Sequence, residues 1–492
     1  MVVAGKIEVK NVHPMGLLSF SSLFLGLMHL QQFISEDALH DSRARFPPPI
    51  CHPTTREKVF EVIAKWINEP NPPQRIMWVN GPAGAGKTAI AQTVAKRHST
   101  EHLAASFFFL RNSSERGNAD RLFTTLAWQL AKNEPDLLPY IESTIEKGPL
   151  LHTKSIDIQF DHFFVKPFEE FRLKKRDSCL TKSLIIIDGV DECADEDTQR
   201  LVLKLIADAL ANEKIPLRFL IFSRAEAHIL EAMKRNKVTH PLELDHRFAP
   251  DDDIRRYLED EFARVATEHS LSSLDSSPWP PIGAIDQLVT KSSGQFIYPS
   301  TVIKFIDDKD GNPRELLKTV LRLRSAGSRS PPFAGLDQLY IQILSQERLD
   351  VRFLRDLFAL LLALGQPKVS FVCRRLRISN NELKLKLRRM QSLLQISESV
   401  IDMHHLSLQD FLHDRKRAGR FFVHPMRVTF VRLPEVTRPI VLTSAAVVSI
   451  VPFAVLTLGV GPLYFLTRVA TGRVTSKADA LYAQVLVHSQ LV

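Results

Sequence analysis

The chain has 492 residues, 45% of them hydrophobic and 24% charged, which excludes a disordered protein and supplies roughly three domains with a sizeable core. Its four cysteines, Cys51, Cys179, Cys193 and Cys373, lack any CxxC pair or metal-ligand spacing, so neither a disulfide framework nor a structural zinc site is expected and a reducing compartment is the default. The net charge of +9 comes from short clusters spread along the sequence, with no single basic domain.

From the N-terminus, residues 1–35 form an apolar leader. The stretch from Met15 to Met28 follows Lys6 and Lys10 as a signal peptide would, yet no small-residue cleavage site follows. A buried or membrane-surface helix is the expectation, with a signal anchor as the alternative. A helical lead-in over 36–72 contains a Pro-rich turn at Phe46–Pro49. The apolar strand Arg75–Asn80 then runs into Gly81, Pro82, Ala83, Gly84, Ala85, Gly86, Lys87 and Thr88, a complete phosphate-binding loop. Glycines at Gly81, Gly84 and Gly86 let the backbone curl so that successive N–H groups face phosphates. Lys87 reaches the β- and γ-phosphates, Thr88 offers its hydroxyl to Mg²⁺, and the helix expected over Thr88–His98 points its positive end at the anion.

Further strands are expected at Ala104–Leu110, Leu184–Asp188, Leu217–Phe222 and His240–Leu244, with helices near Asp120–Lys132 and Thr198–Asn212 between them. Strands alternating with helices give an α/β fold with a parallel sheet. Asp188 ends a wholly apolar run and is placed to hold Mg²⁺. Asp191 and Glu192 follow, and one of the two can orient or deprotonate an attacking water. Arg224 arrives at the same sheet edge, either as a sensor of the γ-phosphate or as a solvated charge. Cys193 reads as a small filler, with a redox-sensitive thiol as the alternative.

Beyond the sheet, Ser272–Pro281 and Arg324–Pro332 read as loops, and the leucine spacing of Glu382–Leu394 as one helix. Basic clusters at Arg374–Arg377, Lys384–Arg389 and Arg415–Arg420 read as solvated faces, with DNA binding the disfavoured alternative. From Pro439 to Leu466 there is no charge, and Arg438 and Arg468 bracket the run, long enough to span a bilayer. The arginine excess on its N-terminal side places that side in the cytoplasm. A Val-rich buried core segment is the alternative. No repeat of 20–50 residues is present.

These residues resemble the NACHT domains of signal-transduction ATPases with numerous domains (STAND class), which include animal and fungal NOD-like receptors, the fungal branch most of all. The resemblance rests on Cys51-His-Pro-Thr-Thr-Arg56, the Gly81–Thr88 loop, Ile187-Asp-Gly-Val-Asp-Glu192 and Phe222-Ser-Arg224. Weaker matches follow at Ser293–Tyr298, Leu336–Tyr340 and His404–Leu412, so that about Ala38 to Val423 is covered. It implies a P-loop domain over 73–250, a helical subdomain over 251–330 and a winged-helix-like subdomain over 331–425. A candidate transmembrane helix over 439–466 and a tail over 467–492 complete the expected organisation. It further implies a slow ATPase that is closed with ADP and Mg²⁺ and that opens and self-associates, or engages protein partners, with ATP. The expected role is cytoplasmic signalling of the innate-immunity or heterokaryon-incompatibility kind. Ala225 stands where related chains place proline, and neither an effector domain nor a repeat array is apparent. An ATPase whose turnover itself drives work, a small-substrate kinase, and a membrane-tethered scaffold or decoy that only holds nucleotide are the rival readings.

Overall fold

The computed structural model describes residues 25–174, 180–271, 278–323, 333–346, 350–396, 399–425 and 428. Five short runs form one parallel sheet: β1 (Ile76–Asn80), β2 (Leu103–Phe108), β3 (Leu184–Asp188), β4 (Arg218–Ser223) and β5 (Thr239–Glu243), in the spatial order β2-β3-β4-β1-β5. The inner strands are almost continuously apolar because helices cover both faces. Alternate residues of β1 make the point: Ile76 and Trp78 belong to the apolar cluster on one face, Met77 and Val79 to the cluster on the other. Register then fixes the geometry that matters for function. Asn80 lies opposite Ser223, and Asp188 opposite Phe222, so β1, β3 and β4 end along one carboxyl edge, where open α/β sheets bind ligands.

The expected strands and sheet helices appear within about two residues of their anticipated ends, ordinary scatter for helix and strand boundaries. One expectation fails. Glu382–Leu394 is not a single helix: Asn380–Leu387 is helical, Arg388–Met390 makes one 3₁₀ turn, and Leu394 opens β6 (Leu394–Ile396), antiparallel to β7 (Ile401–Met403). Leu383, Leu387 and Met390 keep helical spacing, whereas Leu394 and Ile396 alternate with the exposed Gln395 at the period of a strand.

Between the sheet and that hairpin run the helices Pro250–Glu268, Ala284–Ser292, Ile297–Ile306, Pro313–Arg322, Ala334–Gln346, Val351–Leu364 and Val369–Leu376, and Leu406–His413 follows it. Their buried side chains form one apolar cluster from Ile254 to Val423, so the helices on either side of residue 330 share a core. Residues 1–24, 272–277, 324–332 and the 439–466 run lie outside the described residues. Of the leader, Leu25–Gln31 is helical and buries Gly26 and Leu30, with the Leu27 N–H donating to Glu142 Oε1 at 2.9 Å. Among the described residues no helix is long and apolar enough to cross a membrane.

The edge strand β2 is closed by side chains. From the helix Leu122–Asn133, Gln129 accepts from the Ser106 N–H (3.0 Å) and donates to the Ser106 carbonyl (2.8 Å), while Asn133 donates to the Ala104 carbonyl (2.7 Å). The amides thus stand in for a sixth strand. Gln129→Leu leaves a buried donor and acceptor unpaired and should lower stability by about 2–5 kcal/mol. Urea unfolding followed by circular dichroism measures it, and a loss below about 1 kcal/mol contradicts the edge-capping role.

Candidate nucleotide site

β1 stops at Asn80 and the chain turns through Gly81–Gly86 into the helix Lys87–His98. Gly84 and Gly86 adopt φ of +78° and +91°, a region that side chains disfavour. A Cβ on Gly84 would overlap Ile297 Cγ2, whereas at Gly86 nothing lies within 4 Å, so there the backbone angle alone demands glycine. The Lys87 ammonium donates to the carbonyls of Gly81 (2.8 Å) and Pro82 (2.9 Å) at the mouth of this cradle. Burial lowers its pKa, against the opposing pull of Asp191. Ala85 is buried, and its carbonyl accepts from Arg56 Nη2 at 2.8 Å.

Three carboxylates gather opposite the loop. Burial pushes Asp188 up to about 6, while the Thr88 hydroxyl and the charges of Arg45 and Lys87 pull it down. Glu192 rises further, to about 8, through burial and then through Asp191 and Asp188. Its Oε2 accepts from the Arg111 N–H at 3.2 Å. Asp191 is engaged differently: Oδ1 accepts from the Arg224 N–H at 3.0 Å and Oδ2 faces Arg224 Nε at 3.3 Å. Cys193 is buried in the sheet core, its thiol pushed up to about 11.

Every loop and carboxylate residue singled out from the sequence therefore lies in one place, with Arg224 beside them. A cleft of about 950 Å³ opens there, within the range of small-molecule sites. Its other wall includes the His404–Leu412 segment, to which the sequence assigned no role. Asp410, on the helix Leu406–His413, pairs with Arg224 Nη1 at 2.9 Å and faces Arg111 Nη1 at 3.8 Å. His405 also lines the cleft. Its Nδ1 accepts from the Ser407 N–H at 3.0 Å, which leaves the proton on Nε2, and burial with the Arg224 and Lys87 charges drives its pKa down to about 3. Arg45 stacks on the Phe108 ring at 3.8 Å, donates to Gln92 Oε1 at 2.8 Å, and feels the charges of Asp188 and Glu192. The doubled histidine and the arginine before the Pro-rich turn are visible in the sequence, but their meeting depends on contacts hundreds of residues apart.

The cradle, the hydroxyl beside a sheet-edge carboxylate and the lysine at the loop mouth suit a phosphate chain with a hard cation; these oxygen donors are the kind Mg²⁺ takes. They are the parts of a P-loop NTPase, and that is the class this fold and site define. The family model described as Nephrocystin 3, N-terminal, matches residues 54–224, a stretch that begins just before Arg56 and ends on Arg224. No protein of curated function matches the chain. Among solved structures, Drosophila ORC bound to DNA is 15% identical, with 75% of this chain and 96% of that one covered at a TM-score of 0.31. The Aeropyrum pernix ORC1 protein in complex with DNA is 11% identical, covering 74% and 92%, at a TM-score of 0.25.

The raised carboxyls set a pH dependence. A carboxyl whose folded pKa exceeds its unfolded value near 4 holds its proton more tightly in the folded state, so it stabilises the fold at low pH and that stability is lost as pH rises through the folded pKa. In chelator, the protein should therefore lose stability between about pH 5 and pH 8. Glu192→Gln should flatten the upper part of that slope. Urea midpoints across this range test it, and identical slopes in both proteins contradict the assignment.

Proposed function

We propose that the chain is an ATP/Mg²⁺-binding switch of the NACHT type that hydrolyses ATP slowly and whose output is a conformation. The observation that carries this reading is Arg224, held between Asp191 on the sheet side and Asp410 on the helix Leu406–His413. An arginine spent on Asp410 is withheld from a γ-phosphate. A phosphate that claims it competes with the carboxylate and loosens the C-terminal helices from the sheet. That fits a closed form holding ADP and an open form that follows ATP and self-associates.

In this reading the backbone N–H groups of Gly81–Thr88 and Lys87 hold the phosphates, Thr88 and Asp188 hold the metal, and His405 donates from Nε2. Bound Mg²⁺ supplies the positive charge that keeps Asp188 and Glu192 ionised. Glu192 is the better candidate to deprotonate water, because both oxygens of Asp191 are occupied by Arg224. Four helices followed by four more and the β6–β7 hairpin support reading 251–330 as the helical and 331–425 as the winged-helix-like subdomain. Several basic residues there are already paired, Lys386 with Glu382 at 3.5 Å, Arg417 with Asp337 at 2.7 Å and Arg388 with Asp310, which favours a solvated face over a DNA-reading one. The 439–466 run, read as a span with the ATPase on the cytoplasmic side, would tether the switch to a membrane during signalling.

Asp410→Ala should release a fluorescent ADP analogue at least about tenfold faster, since a charge-assisted contact contributes about 1.5–3 kcal/mol. It should also assemble at lower ATP concentration. Release and assembly both unchanged from the parent would remove the switch reading. A second pair of variants separates roles at the metal edge. Asp188→Asn should lose Mg²⁺-dependent ATP binding, whereas Glu192→Gln should keep binding and lower turnover by about a hundredfold or more. Wild-type turnover in Glu192→Gln would exclude it as the base.

A further inference from the structure

The helix Ile297–Ile306 begins against the phosphate loop, with the Ile297 N–H donating to the Gly84 carbonyl at 3.3 Å. Most of it is core: Tyr298, Val302, Ile303, Phe305 and Ile306 are buried. One stripe is different. Ile297, Ser300, Thr301 and Lys304, at the spacing of a single helical face, line the nucleotide cleft. The two hydroxyls turn back to the Ile297 carbonyl, at 3.1 and 2.7 Å, so Lys304 is the group on this stripe with hydrogen bonds to give.

Lys304 has no ion-pair or hydrogen-bond partner among the described residues. It is an exposed residue that lines the cleft, and partial desolvation there lowers its pKa. Its neighbours do not neutralise it. His404 donates Nε2–H to the Gln391 carbonyl at 2.8 Å, and burial and Lys304 bring its pKa down to about 4. His405, which feels Lys304 together with Lys87 and Arg224, is likewise uncharged at neutral pH. An unpaired ammonium on the cleft wall, within electrostatic reach of the same His405 that Lys87 and Arg224 act on, is placed to complete an anion held by Lys87. A structural lysine of this length would instead be expected to cap a helix end, as Lys291 does by donating to the Val320 and Leu321 carbonyls at 3.1 Å.

We propose that Lys304 is a phosphate-binding residue, so that a nucleotide's polyphosphate is held from the sheet side by Lys87 and from the helical side by Lys304. This rests on the nucleotide reading above. The consequence is that ADP cross-links the two walls of the cleft through its charge, and that binding discriminates by phosphate content. It also explains why a helix otherwise devoted to the core carries a lysine at a cleft-facing position.

The test uses the full chain stripped of nucleotide, with calorimetric titration of ADP and of adenosine into the wild type, Lys304→Ala, Lys304→Arg and Lys87→Ala. Lys304→Ala breaks no hydrogen bond or ion pair among the described residues, so its thermal midpoint without nucleotide should match the wild type. Its ADP affinity should fall about tenfold, adenosine binding should not change, and Lys304→Arg should restore most of the loss. The ADP affinity of Lys304→Ala should also depend less steeply on salt. Wild-type ADP affinity in Lys304→Ala, or equal losses for ADP and adenosine, overturns the proposal. If Lys87→Ala also binds ADP as the wild type does, the nucleotide reading itself fails and takes the proposal with it.

Discussion

The double ion pair of Arg224 is the interaction on which the packing of the C-terminal helices against the sheet edge turns. One guanidinium joins the end of β4 to Asp191 on the neighbouring turn and to Asp410 on a helix more than 180 residues away in sequence. With side chains about one-fifth exposed at Arg224 and Asp410, the pair is partly shielded from water and salt, unlike a surface bridge. Its position is dictated by the sheet. Because Asp188 aligns with Phe222 in the register, the residues that follow β3 and β4 must meet at the same edge. A third element that brings a carboxylate there is thereby coupled to whatever else the edge binds.

Charge balance around that edge suits it to a ligand that carries both signs of charge. Asp188 and Glu192 sit in a dry environment that disfavours their ionised forms, while Lys87 and Arg45 sit close by with their own charged forms disfavoured by burial. Neither set is fully satisfied by the other. Lys87 leans on loop carbonyls, and Arg45 on a ring and an amide. A polyphosphate with a divalent cation brings opposite charge to both sets at once, which is the physical reason such a ligand gains from this cleft what it would not gain on an open surface.

Much of the sheet side was legible from residues alone. An apolar strand feeding Gly81–Thr88 and another ending at Asp188 have few alternative folds, since parallel strands buried on both faces leave a strong local pattern. The choice between Asp191 and Glu192 was not legible, because it depends on which carboxylate Arg224 occupies. Asp410 and His405 fell in a segment singled out only as a weak resemblance, and Lys304 in none; the role of each comes only from packing across the cleft. The misread helix over Glu382–Leu394 shows the limit of periodicity, where two adjacent leucines at Leu393 and Leu394 satisfied the helical pattern up to the point at which the chain had already turned into a strand.

Under the proposed switch, Arg224, held by Asp410, leaves no guanidinium for a γ-phosphate and so defines a diphosphate-holding state. Denaturing the purified, untreated protein and separating the released nucleotide by ion-exchange chromatography tests this most directly. About one ADP per chain is the predicted result. Protein that releases no nucleotide, or that releases ATP in the same proportion while remaining monomeric, would contradict it.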